Sequence, residues 1–182
     1  MKVVFIKQSA RRYAVEVRRD RYPDLWCGTI GYHEWLPHDL LHFVAEAEYC
    51  LDGGIFGDLA AGGNARIFLP LNEEHTVDTE LVTKLWRKQR IRRTRLPDGR
   101  RSEELAWQLQ QGWRARNLPP RLQQKLDVLA GEWHGLQVGQ SLTLEWPRPE
   151  GRKRHPPRER RRPTANRDVS VRACLRAPAA PA

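Results

Sequence analysis

Pro147 divides this chain into two kinds of polymer, and that break constrains the fold more than any motif does. Residues 148–182 carry 11 Lys/Arg against 3 Asp/Glu, six prolines and no aromatic side chain. A segment of that composition buries too little apolar surface to offset its ordering entropy, so it is expected to be a disordered Arg/Pro-rich tail. Its Arg, Pro and Ala are also the residues that GC-rich codons specify, as in an extension by frameshift or a lost stop codon. Residues 1–147 are nearly neutral, with 21 basic and 19 acidic side chains, so most of the net +10 belongs to the tail. All seven tryptophans lie in this body, which is long enough to build one globular domain with a real core.

Periodicity organises the body. Val3 to Ile6 is a short β-branched and aromatic run, and Tyr13, Val15 and Val17 alternate with Ala14, Glu16 and Arg18. Two such runs across a short polar link predict a hairpin. Asp20 to Gly31 reads as irregular. Pro37 suits the first turn of a helix running to about Leu51, stopped by Asp52-Gly53-Gly54. A second short helix is predicted over Ile55–Ala61, and another from a cap at Asp78 to about Arg93, before a turn at Pro97-Asp98-Gly99. Ser102 is read as the cap of a helix presenting Leu105, Leu109 and Trp113. Pro119 opens one whose stripe is Leu122, Leu126, Leu129 and Trp133. Leu142, Leu144 and Trp146 then form a last strand that Pro147 stops, with the amino-terminal hairpin as its expected partner. The predicted class is α+β: a small, mostly antiparallel sheet covered by four or five helices.

The cysteines, Cys27, Cys50 and Cys174, are odd in number and widely spaced, giving neither a disulfide framework nor a Cys-x-x-Cys metal pattern. No disulfide partner is expected. The opening apolar run is too short for a signal-peptide core, and no run has the length of a membrane span. A cytoplasmic protein is the expectation.

From Tyr22 to Ala65 there is no Lys or Arg, while Asp24, Glu34, Asp39, Glu46, Glu48, Asp52 and Asp58 stand with His33, His38 and His42. At about 100° per residue, His38, His42, Glu46 and Asp39 fall on one arc of the predicted helix, opposite Leu40, Val44 and Leu51. Cys50 projects toward the core. His38 and His42 are one turn apart, so both imidazoles can reach one ion. Imidazole and carboxylate suit zinc or another divalent metal. The resulting expectation is a metal site with His38, His42 and Glu46 as ligands, Asp39 as base, and Asp58 or His33 as alternatives for the third ligand. The competing reading is an ordinary solvated helix face.

His38-Asp39-Leu40-Leu41-His42 resembles the His-Glu-x-x-His helix of zinc peptidases, with Asp in place of Glu. That resemblance implies zinc on the two histidines and water activation by Asp39, hence a hydrolase. The same residues resemble the His-Asp-x-x-His motif of a ubiquinone-biosynthesis family, in which a glutamate follows after eleven residues. Here that place is Gly54. The segments Leu36–Glu46 and Gly53–Gly62, with Ser141–Pro147, are similar to a set of uncharacterised bacterial proteins, many actinobacterial, and imply a bacterial origin but no activity.

The rival segment is basic. Residues 84–101 hold nine Lys/Arg and only Asp98 as an acid. Lys84, Arg87, Lys88, Arg90, Arg92, Arg93 and Arg95 could contact phosphates, making a non-enzymatic module for nucleic acid or another acidic partner. Gly53-Gly54 and Gly62-Gly63 lack the spacing of phosphate-cradling loops and are read as helix ends.

Overall fold

The computed structural model describes residues 1–30, 36–71 and 93–147. The tail at 148–182 and the helix predicted from Asp78 lie outside the described residues, except for Arg93. The elements are β1 (Lys2–Ser9), β2 (Arg12–Arg18), β3 (Leu25–Ile30), α1 (His38–Glu48), α2 (Ile55–Ala60), β4 (Leu69–Pro70), α3 (Gly99–Arg114), α4 (Pro120–Gly135) and β5 (Ser141–Glu145). The fold is α+β, with four helices among the described residues and an antiparallel sheet in the order β4-β3-β2-β1-β5.

The expected hairpin pairs Val3 with Val17 and Phe5 with Val15, and β5 lies on the other side of β1, with Leu142 opposite Phe5 and Leu144 opposite Val3. One face therefore carries Val3, Phe5, Tyr13, Val15, Val17, Leu25 and Cys27, all buried. Each fully buried Val, Leu, Ile or Phe contributes about 1.5–3 kcal/mol of transfer free energy. The region read as irregular contains β3, which pairs with β2 from Leu25↔Val17 to Ile30↔Arg12. Its pattern is hidden because Trp26 and Gly28 alternate with Leu25 and Cys27, so both faces look apolar. The Trp26 ring lies across Gly28, where a Cβ would approach it to 2.6 Å.

Helix α1 packs its Phe43 edge-on against Phe5 and Phe56, at centroid distances of 6.3 and 5.2 Å. Trp146, just beyond β5, closes this cluster 5.3 Å from Phe43 and 5.9 Å from Phe56. At the far end of the sheet Trp133 of α4 meets Tyr13 edge-on, and Lys7 donates to the Leu136 carbonyl at 2.8 Å, satisfying a carbonyl at the end of α4. α1 is capped at Tyr49, and the next residue, Cys50, adopts a left-handed φ of 52°. That turn sends Cys50 to solvent and tucks Leu51 back into the core. The helical projection that placed Cys50 inward stops applying one residue too early.

Candidate metal centre

The polar arc of α1 does not face water. Asp39, His42 and Glu46 are buried alongside Leu40, Leu41, Phe43, Val44 and Ala45. A helix buried all round must find partners for each polar group, because an unpaired one costs several kcal/mol. The second half of the chain supplies them, chiefly through α3.

α3 is seated by two ties to the α1–α2 turn. The Gly53 amide donates to Asp98 Oδ2 at 2.8 Å, and the Asp98 amide donates to the Gly53 carbonyl at 3.0 Å. The helix therefore starts at Gly99, with Asp98 in the capping position and Ser102 already within the first turns. The Ser102 side chain does not cap. It is fully buried, and its Oγ donates to Glu46 Oε1 at 2.5 Å, while His42 Nδ1 lies 2.7 Å from that Ser102 Oγ. The next residue, Glu103, reaches both imidazoles: Oε1 is 3.5 Å from His38 Nε2 and Oε2 is 3.2 Å from His42 Nε2.

His38, His42 and Glu103 thus form a group whose ligand atoms all lie within 4.8 Å of one another. Zinc–nitrogen and zinc–oxygen bonds near 2.0–2.1 Å put neighbouring ligands of a tetrahedral site about 3.3 Å apart. The two imidazole–carboxylate separations fit that edge. His42 is 1% exposed, whereas His38 and Glu103 are 29% and 28% exposed, so the group reaches solvent through His38 and Glu103. Hydrogen bonds from His38 and His42 hold the Glu103 carboxyl well below the usual range. Burial pushes the His42 imidazole down, against the Glu103 hydrogen bond that favours its protonation. Two imidazoles and a carboxylate make a ligand set for a borderline divalent cation.

Glu46, the expected third ligand, is seated elsewhere. Its carboxylate accepts the Ile55 amide at 2.7 Å, Phe56 at 2.7 Å and Gly57 at 3.3 Å, capping α2 in place of a local side chain. Burial pushes its carboxyl up to about 7, against the Ser102 and backbone hydrogen bonds that favour the anion. This also explains Gly54, read from sequence only as a helix stop: a Cβ there would stand 2.3 Å from Glu46 Cδ. Asp39, the expected base, has both carboxylate oxygens engaged. Tyr13 donates to Oδ2 at 2.9 Å, and Arg93 donates to Oδ1. Burial alone would raise the Asp39 carboxyl, but the Arg93 guanidinium with His42 and His38 brings it below its ordinary value. A carboxylate so held is a poor proton acceptor. Beside it, burial raises the Cys27 thiol to about 12.

The remaining candidates fall apart spatially. The Asp58 carboxylate accepts the Ala65 amide at 2.8 Å. His33 lies outside the described residues, as do Lys84, Arg87, Lys88, Arg90 and Arg92. Of the basic segment, Arg95 is exposed, but Arg93 turns inward to Asp39 and is not available to a phosphate. Sequence reasoning missed Ser102 and Glu103 as site residues by reading Ser102 as a cap. A signal was present: the buried stripe Trp113, Leu109, Ala106 continues backward onto Ser102, with Glu103 at its edge. Among the described residues, no helix is long and apolar enough to cross a membrane. No family model, curated protein or solved structure matches the chain.

Proposed function

We propose that this domain binds a divalent, zinc-like cation through His38 Nε2, His42 Nε2 and Glu103, at the solvent edge between α1 and α3. One observation carries the reading: three ligand atoms from two separate helices converge within 4.8 Å, with the carboxylate touching both imidazoles. The depressed basicity of His42 supports it, because a neutral imidazole offers the lone pair a metal needs. The chemistry that the zinc-peptidase resemblance implies would require a base. Asp39 is engaged by Tyr13 and Arg93, so the proposal is cation binding rather than hydrolysis.

Metal analysis of protein purified without a histidine tag, followed by zinc and cobalt titration, tests it. The expected result is one equivalent per chain, with affinity lowered more than about 100-fold in Glu103→Gln and in His38→Ala, because ligand loss exceeds the 10–100-fold typical of supporting residues. Both positions are partly exposed, so the variants are expected to retain the fold, which circular dichroism checks. Substoichiometric metal in the wild type, or unchanged affinity in both variants, would overturn the proposal.

A further inference from the structure

The file Glu46–Ser102–His42–Glu103 has more to say than its outer end. Ser102 Oγ owns a single proton and has two hydrogen-bond partners, Glu46 Oε1 at 2.5 Å and His42 Nδ1 at 2.7 Å. Only one of them can receive that proton. Three amide N–H groups already point at the Glu46 carboxylate, and Oε1 itself accepts the Ile55 amide at 2.7 Å. At pH 8.5, above the value of about 7 to which burial raises this carboxyl, those donors meet the anion, which has no proton to offer. Ser102 therefore donates to Glu46, and its lone pair is left to accept from His42 Nδ1–H.

We propose that Ser102 is a positioning residue that fixes His42 as the Nδ1–H tautomer, so that the Nε2 lone pair is presented to a cation beside Glu103. The inference rests on the metal reading for its purpose, but the tautomer is a property of the protein itself. In that tautomer a neutral His42 aims a lone pair at a carboxylate oxygen 3.2 Å away. At that separation a divalent ion ligated by both atoms would take the place of the proton that otherwise bridges them. If Ser102 instead gave its proton to His42, Nε2–H would donate to Glu103 and the ligand position would be blocked. Glu46 serves at the inner end by anchoring the direction of the chain, and its own orientation is fixed by the start of α2. Metal-ligating histidines commonly donate their other ring N–H to such a partner, and loss of that partner costs about 10–100-fold in metal affinity.

The test is nitrogen-15 NMR of histidine-labelled protein at pH 8.5, first without metal and with chelator present, then with zinc alone as the probe. The His42 ring is expected to show a protonated Nδ1 and an unprotonated Nε2 in the metal-free wild type. Ser102→Ala should shift the ring toward the Nε2–H form and weaken zinc about 10–100-fold, and Ser102→Thr, which keeps the hydroxyl, should restore the wild-type tautomer. A metal-free wild-type ring protonated on Nε2, or a tautomer unmoved in Ser102→Ala, would overturn the inference. Failure of zinc to bind the wild type would refute the cation site while leaving the tautomer measurement to decide the role of Ser102.

Discussion

Replacing Gly54 with alanine adds one methyl group and should cost several kcal/mol. The backbone is not the obstacle, since φ −80° and ψ −163° suit any residue. The obstacle is Glu46, whose Cδ and two carboxylate oxygens would lie 2.3, 2.5 and 2.6 Å from the new Cβ. That carboxylate cannot swing aside, because the Ile55, Phe56 and Gly57 amides and the Ser102 hydroxyl hold it. Moving it breaks at least two hydrogen bonds to a charged acceptor, each contributing about 1.5–3 kcal/mol. The expected loss is about 3–6 kcal/mol, offset by about 0.4–1 kcal/mol from the stiffer unfolded chain. Urea denaturation of the wild type, Gly54→Ala, Glu46→Asp and the double variant measures it. Glu46→Asp withdraws the carboxylate by one methylene, so the double variant should be more stable than the sum of the singles by at least about 1 kcal/mol. A Gly54→Ala loss below about 1 kcal/mol, or strict additivity, would show that Gly54 is not held by Glu46.

Three further outcomes are expected. The Glu46 carboxyl, raised to about 7 by burial, binds its proton more tightly folded than unfolded, so its contribution is present below about pH 4.5 and is lost as pH rises through 7, a span of about 3 kcal/mol. His42 runs the opposite way, its depressed value costing stability as pH falls below the ordinary histidine range; the difference between wild type and Glu46→Gln, both with chelator, isolates the Glu46 slope by denaturation at pH 5 and pH 8. Tyr13→Phe removes the buried donor to Asp39 and should destabilise by about 1.5–3 kcal/mol in thermal melts; a neutral result would mean that Arg93 alone satisfies the carboxylate. Cys50→Gly relieves a left-handed non-glycine residue at the end of α1 and should stabilise by about 0.5–1 kcal/mol, read as a raised urea midpoint.

The regular alternation at Tyr13-Val15-Val17 and Leu142-Leu144 made β2 and the edge strand β5 legible, and the alternating four- and three-residue spacing of Leu122, Leu126 and Leu129 did the same for α4. β3 escaped because apolar residues occupy both faces of the strand. At the site, the pairing of His38 with His42 followed from helical spacing alone. Their partner did not, because Glu103 arrives by a tertiary contact between helices some 60 positions apart, and no local period encodes that. Glu46 shared the correct arc of α1 but was claimed by the amides of α2, whose start lay only nine residues on. A helical wheel sees directions, not the competing partners already standing in them.

The pairing of β1 with both β2 and β5 sets a clock on synthesis. Ile6 opposes Ala14 on one side and Ser141 on the other, so one flank of β1 is met almost at once and the other only after about 135 more residues have been made. At roughly 5–20 residues per second, that interval is about 7–27 s. Throughout it, the nascent hairpin exposes an unpaired Val-Val-Phe-Ile edge, the kind of template on which stray strands dock. Lys2 and Lys7 bracket that edge, and charges so placed discourage docking by another chain. The strand that completes the sheet also brings Trp146 onto Phe43 and Phe56, so sheet closure and the sealing of the aromatic cluster coincide, and a ribosome stalled short of Ser141 holds a domain with neither.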